Sequence, residues 1–177
     1  MKNTWGIDPM HSEIEFKVKH LMISTVTGKF KTFTASAETE GDEFEDSKIK
    51  FSAEIASIDT NNEHRDGHLK GDDFFNAEKY PNLMFESTSM KKNAQGNFEL
   101  VGDLTIRDVT KSITLDVDFN GTMTDPYGNY KAGFELRGLI NRKDFNLMWT
   151  ATTEAGGIVV SDEVKLICNI QLAKIVA

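Results

Sequence analysis

The chain lacks most of the features that assign a protein at sight. It holds one cysteine, Cys168, so no intrachain disulfide can form, and that residue's place in an alternating apolar pattern makes it a small core side chain rather than a reactive thiol. No apolar run approaches the roughly 18 residues that a membrane-spanning helix needs. No basic cluster is longer than Lys91-Lys92. With a formal charge of -8 and a pI near 5.0, the chain has no footprint for a phosphate backbone, which excludes nucleic acid as a partner. There is no G-x-S-x-G nucleophile motif, no glycine-rich phosphate loop and no H-E-x-x-H zinc motif. The opening residues, "MKNTWGIDPMHSEIEF", contain no apolar stretch of signal-peptide length, so the expectation for the sequence as given is a cytoplasmic protein, or a periplasmic one if a leader has been trimmed.

What the chain does have is period-two alternation. At 177 residues, 39% hydrophobic and 27% charged, it fits a single domain spanning residues 1–177. In "EIEFKVKH" Ile14, Phe16 and Val18 share one face and Glu13, Glu15, Lys17 and Lys19 the other, which is a strand with one buried and one wet side. The same device recurs with Phe98, Leu100, Leu104 and Ile106; with Ile113, Leu115, Val117, Phe119 and Met123; with Phe134, Leu136 and Ile140; and with Val164, Leu166, Cys168, Ile170 and Leu172. Segments near 26–39, 47–58 and 83–91 bring the expected strands to eight. "KNAQGN" at 92–97, "RDVTKS" at 107–112 and "DPYGN" at 125–129 read as hairpin turns. Polar outer faces leave the inner faces to bury against each other, as a sandwich or as a closed barrel whose interior is filled or holds one small ligand. Small residues at inward positions, Ala53, Gly102, Gly121, Ala132 and Gly138, either relieve curvature or leave space along the axis.

Two segments, 60–80 and 142–157, break the pattern and are too long for hairpin turns, so they cap an end or line a site. The first contains "HRDGHLKGDDFF". Thr60 followed by Glu63 resembles a capping box and predicts a short helix ending near Gly71. On it His64 and His68 share a face, but any further zinc ligand would have to come from His11 or His20, which the sequence does not place nearby. Asp66, Asp72 and Asp73 are candidate acid-base groups without a nucleophile motif beside them. Phe74 and Phe75 must turn toward the barrel end, with Phe145, Met148 and Trp149 arriving from the second insertion; together they make an adaptable apolar lining or an ordinary core plug.

Five stretches in fixed order, "WGIDPMHSEIEFKVKHLMISTVTGKF", "IDTNNEHRDGHLKGDDFFNAEKYPNLMFES", "GDLTIRDVTKSITL", "LINRKDF" and "VSDEVKL", resemble the YceI-like family of polyisoprenoid-binding proteins from Trp5 to about Leu172. The resemblance implies an all-β, eight-stranded antiparallel lipocalin-like barrel, with a helical insertion between strands 3 and 4 and a second insertion between strands 7 and 8. It implies a non-enzymatic carrier of a long amphiphile: isoprenoid quinone, polyprenyl phosphate, or fatty acid or amide. In that light Arg65-Asp66 ties the helical insertion to the barrel while Leu69, Phe74 and Phe75 face inward as a lid. The expected tunnel lining adds Phe16, Val18, Phe30, Phe51, Ile55, Phe85, Leu100, Leu104, Leu115, Val117, Phe119, Phe134, Leu136, Ile140, Phe145, Met148 and Trp149. Candidate head-group contacts are His20, Arg65, His68, Asn141 and Arg142. No catalytic residue, metal or cofactor is expected beyond the bound lipid; transient membrane contact and a homodimer are open. Asp108 and Asn146 stand where the family pattern has glycine, and Ser112 where it often has proline; Asp and Asn tolerate the left-handed backbone. The rival readings are a metal-assisted hydrolase built on His64 and His68, and a stress-related interaction protein with a filled core.

Overall fold

Alternation of buried and exposed side chains makes strands throughout the computed structural model, which describes residues 1–150 and 159–176. Along β8 (Phe98–Ile106), Phe98, Leu100, Leu104 and Ile106 are buried and Glu99 and Asp103 exposed. Within the described residues the strands before it are β1 (Lys2–Ile7), β2 (Glu13–His20), β3 (Ser24–Phe30), β4 (Phe33–Glu40), β5 (Glu43–Glu54), β6 (Ile58–Asp59) and β7 (Asn82–Lys92). After it come β9 (Val109–Thr124), β10 (Tyr130–Asn141) and β11 (Val160–Lys174). All pair antiparallel.

Three pairs of these strands are halves of longer staves. β1 and β2 both run along β11, separated by a 3₁₀ turn at Pro9–His11 that Asp8 caps by accepting from Met10 N at 3.1 Å. β3 and β4 return along β2 and β1. β6 continues β5 beyond a 3₁₀ turn at Ile55–Ser57 and pairs with β3. Because β1 bonds both β4 and β11, the ring closes. The result is the expected eight-stave antiparallel lipocalin-like barrel. The helix α1 (Glu63–Lys70) lies between the third and fourth staves, and the second insertion lies between the seventh and eighth.

The departures from the expected pattern have local causes. The first stave begins at Lys2, ahead of the alternating "EIEFKVKH". The β8–β9 turn is only Arg107–Asp108, and it is Arg107, not Asp108, that takes the left-handed backbone (φ 56°). In β5 the pairing slips between Glu38 and Glu40 opposite Asp46 (φ 63°), so the inward phase changes and Phe44 is buried. On β9 a bulge at Asn120, beside Gly121 (φ 101°), reverses the phase again. Met123, which alternation would put inside, is 76% exposed as a result.

One end of the barrel is closed by aromatic rings. Phe44 packs on Trp5, Phe119 and Phe134 with ring centroids 5.0, 5.8 and 4.9 Å away, and Phe98 and Tyr130 complete the layer. Trp5 is fully buried, its indole N–H donating to Thr39 Oγ1 at 2.9 Å, so the ring's polar group is satisfied inside the floor. Next to the 3₁₀ turn Lys131 Nζ meets Asp8 Oδ2 at 2.6 Å, with His11 Nδ1 on the same oxygen at 2.9 Å. The hydrogen bond from Lys131 holds the Asp8 carboxyl at about 2, well below the usual carboxylate range. A folded-state pKa below the unfolded one contributes stability above the ordinary carboxylate range, and that contribution is lost as pH falls through the folded value. Urea titrations at decreasing pH are therefore expected to show wild-type stability falling more steeply than that of Asp8→Asn, the two curves converging near pH 2.

Candidate functional site

The barrel is hollow above its floor. A cavity of about 430 Å³ extends from Phe44 and Phe134 to the end where α1 meets the second insertion, a size within the ~300–1,000 Å³ range of small-molecule sites. Three large side chains explain why the axis is open. The ring of Phe16 lies over Gly28, that of Phe85 over Gly102, and the Leu115 side chain over Gly138; a Cβ at any of these glycines would collide with its neighbour. Absent side chains thus let present ones lie flat against the wall. Phe51, Leu136, Ile140, Leu166 and Cys168 are half-buried although they point inward, because the surface they keep faces the lumen. Burial pushes the Cys168 thiol up to about 11, which keeps it protonated and unreactive.

Most of the residues expected in the lining do border the cavity. Leu100, Val117 and Phe134 lie nearest the floor; Phe16, Phe30, Phe51, Phe85, Leu104, Leu115 and Leu136 form the wall; Val18, Ile140, Leu69, Phe74, Phe75 and Trp149 surround the mouth. Four do not. Ile55, 2% exposed, is turned off the strand alternation by its 3₁₀ turn and packs in the core. Phe119 belongs to the floor. In the second insertion the 3₁₀ turn Arg142–Phe145 ends on Asn146 in the left-handed region (φ 61°), which buries Phe145 in the core, sends Leu147 to the cavity and leaves Met148 53% exposed. Phe44 and Leu147 are lining residues that the alternation did not indicate, because an irregularity at Asp46 separates Phe44 from the regular part of β5 and a 3₁₀ turn precedes Leu147. Leu166, Cys168 and Ile170 also line the cavity, in the phase that alternation assigns them.

Polar groups gather at the mouth. His20, His64, Arg65 and His68 border it. Asn141 does not; its exposed side chain caps the 3₁₀ turn, accepting from Lys143 N at 3.0 Å. Arg142 borders the cavity but is 3% exposed, and its N–H groups are committed: to Leu147 O and Trp149 O at 2.6 Å each, Ser161 O at 2.9 Å and Val160 O at 3.3 Å. Desolvation pulls its pKa down, opposed by Asp162. This guanidinium is a post that binds the second insertion to β11 rather than a free head-group contact.

The chain from Thr60 to Phe74 is tied down at both ends. Asn62, not Thr60, caps α1, accepting from Arg65 N at 3.0 Å. Thr60 is instead the clasp: its N–H and hydroxyl donate to Asp66 Oδ1 at 2.9 and 2.5 Å, while Arg65 donates from Nε to Thr60 Oγ1 at 2.8 Å and from Nη2 to Thr60 O at 2.6 Å. Past the helix, Arg107 Nη1 donates to Asp72 O and Phe74 O at 3.0 and 2.8 Å. His68, held by Asp73 Oδ2 at 3.1 Å, meets Phe74 and Trp149 edge-on with centroids 5.1 and 5.0 Å away, so the two insertions touch across the mouth. Among the described residues no three His, Cys, Asp or Glu side chains converge as a metal cluster.

A family description, YceI-like domain, matches residues 5–172. The chain belongs to the YceI-like family. A UPF0312 protein of Yersinia pestis is 40% identical over 161 residues, covering 91% of this chain and 80% of the relative. The crystal structure of the Campylobacter jejuni YCEI protein is similar at a TM-score of 0.75 and 36% identity, covering 88% of each chain. A polyisoprenoid binding domain from Saccharophagus degradans shares the fold at a TM-score of 0.66 and 14% identity, covering 96% of this chain and 97% of that one. Within this YceI-like barrel, Arg142 gives a direct test of how the mouth is built. Arg142→Met would leave four carbonyls without their donor, a loss of about 3 kcal/mol or more. Thermal unfolding is expected to shift down by roughly 6–12 °C.

Proposed function

We propose that the chain binds and sequesters or carries a long-chain amphiphile, an isoprenoid quinone, polyprenyl phosphate or fatty acid or amide, without catalysing a reaction on it. The observation that carries this reading is a bore with largely apolar walls, closed by an aromatic floor, with His20, Arg65 and His68 at its mouth. A tail and a head are what such a site separates. The solved barrel from Saccharophagus degradans, described as polyisoprenoid binding, has the same architecture.

The bore also suggests a tail length. From Phe134 to Ile140, β10 advances ~20 Å along the strand and ~15 Å along an axis tilted at the usual barrel angle. At ~1.2 Å per bond of extended chain, that holds about a dozen bonds, or about three isoprene units. Burying them contributes ~0.8 kcal/mol per methylene before association and ordering costs are subtracted, so the tail supplies most of the affinity. The head group then meets His20, Arg65 and His68. Arg65 grips Thr60 through Nε and Nη2, which leaves Nη1 for an oxygen of the ligand.

Filling the bore tests the reading. Cys168→Phe places a ring in the lumen between Ile14 and Leu136, its partners on the adjacent strands. Affinity for a fluorescent polyene fatty acid is expected to fall at least about tenfold while circular dichroism stays unchanged. Unchanged affinity in a folded variant would rule out the bore as the site. Native mass spectrometry of protein purified without detergent, followed by solvent extraction, names the head group directly.

A further inference from the structure

The hairpin between β2 and β3 ends in three large apolar residues, Leu21, Met22 and Ile23, which are 38%, 62% and 86% exposed. Leu21 (φ 53°) and Met22 (φ 59°) both occupy the left-handed region, which a tight hairpin normally fills with Asn, Asp or Gly. Bulky side chains are therefore held at a strained turn, with Met22 and Ile23 largely exposed among the described residues and Leu21 partly covered. The tip stands on the rim of the mouth. It follows His20 directly, and Leu21 N donates to Val159 O at 2.8 Å; both His20 and Val159 border the cavity. Arg142 joins the neighbouring Val160 to the segment carrying the exposed Met148. Just behind the tip, on the outer face, Lys17 lies directly opposite Lys165, and Lys19 follows one outward position nearer the mouth. Cross-strand like charges repel, and against Glu163 on the same stretch of β11 they leave a basic patch on a chain of net charge -8.

An apolar tip backed by lysines is the arrangement that suits an anionic bilayer, with side chains in the interface and ammonium groups among headgroup phosphates. We propose that this rim docks on an anionic lipid surface through Leu21, Met22 and Ile23, with Lys17, Lys19 and Lys165 meeting the headgroups. A lipid then passes between bilayer and bore without crossing water. The passage rests on the reading of the bore as a lipid site; the docking does not.

The test pairs Leu21→Asn with Met22→Gly in the full chain, since both residues suit the left-handed turn and leave the fold at least as stable. Co-sedimentation is measured with vesicles of phosphatidylcholine plus phosphatidylglycerol and with phosphatidylcholine alone. Loading of a fluorescent polyene fatty acid from cyclodextrin is measured separately. The expected result is wild-type binding to the anionic vesicles that weakens with salt and without phosphatidylglycerol, falls at least about tenfold in the variant, and leaves cyclodextrin loading unchanged. Wild-type protein that ignores vesicles, a variant that binds them equally, or a tip-dependent dimer in sedimentation without vesicle binding would each overturn the docking. If the wild type loads from cyclodextrin yet ignores vesicles, only the docking fails. If it binds vesicles but takes up nothing from cyclodextrin, the rim stands as a membrane surface and the reading of the bore fails.

Discussion

Phe16 over Gly28, Phe85 over Gly102 and Leu115 over Gly138 are the contacts on which the character of this barrel depends. Eight staves enclose an interior that ordinary side chains, pointing along the radius, would fill. Here bulky groups find a flat resting place on the adjacent strand, so the hydrophobic surface that drives closure is retained while the centre is vacated. The same residues thus satisfy two opposed demands: burying enough apolar area to fold, and leaving some of it for a guest. A methyl group at any of the three glycines would push a side chain inward and narrow the bore.

Around that constraint the two ends have been given different chemistry. The floor is an aromatic layer whose polar groups find hydroxyl partners, the Trp5 indole N–H on Thr39 and the Tyr130 hydroxyl on Thr122, and its outer edge is fastened by Lys131 on Asp8. The mouth is built from backbone that is not strand, and it needs side chains to supply what the sheet does not. Arg142 collects carbonyls from the second insertion and β11, the Thr60 clasp holds α1, and Arg107 holds the chain beyond it. These cations are spent on organisation. Of the polar groups described at the mouth, His20, His64, His68 and part of Arg65 are left to meet something from outside.

The barrel was legible in the sequence because alternation is strict wherever a strand has one wet face, as in "EIEFKVKH" and along β8 and β11. The lining was legible for the same reason, and it failed where the phase changes. Phe44 lies beyond the Asp46 irregularity, Met123 beyond the Asn120 bulge, and Leu147 and Met148 beyond a left-handed Asn146; the pairing slips by three residues at Asp46 and by one at Asn120, and each odd shift moves side chains to the other face. Ile55 and Phe145 sit in 3₁₀ turns, where period two no longer applies. The roles of Arg142 and Thr60 were out of reach for another reason. Arg142 bonds carbonyls of β11 that only the fold brings beside it, and Thr60 clasps Arg65 and Asp66 through a geometry that depends on how the helix starts, so residue type says only that a donor is present.

The aromatic floor carries a kinetic consequence. A tube sealed at one end has a single door, so solvent inside must leave past the chain that is coming in, and a guest departs head first along the path by which it arrived. Nothing can push it from behind. On the reading of the bore as a lipid site, exchange would be governed by how far the contacts of His68, edge-on, and Phe74, tilted, with Trp149 part, and residence time would be a property of that aromatic contact more than of the bore itself.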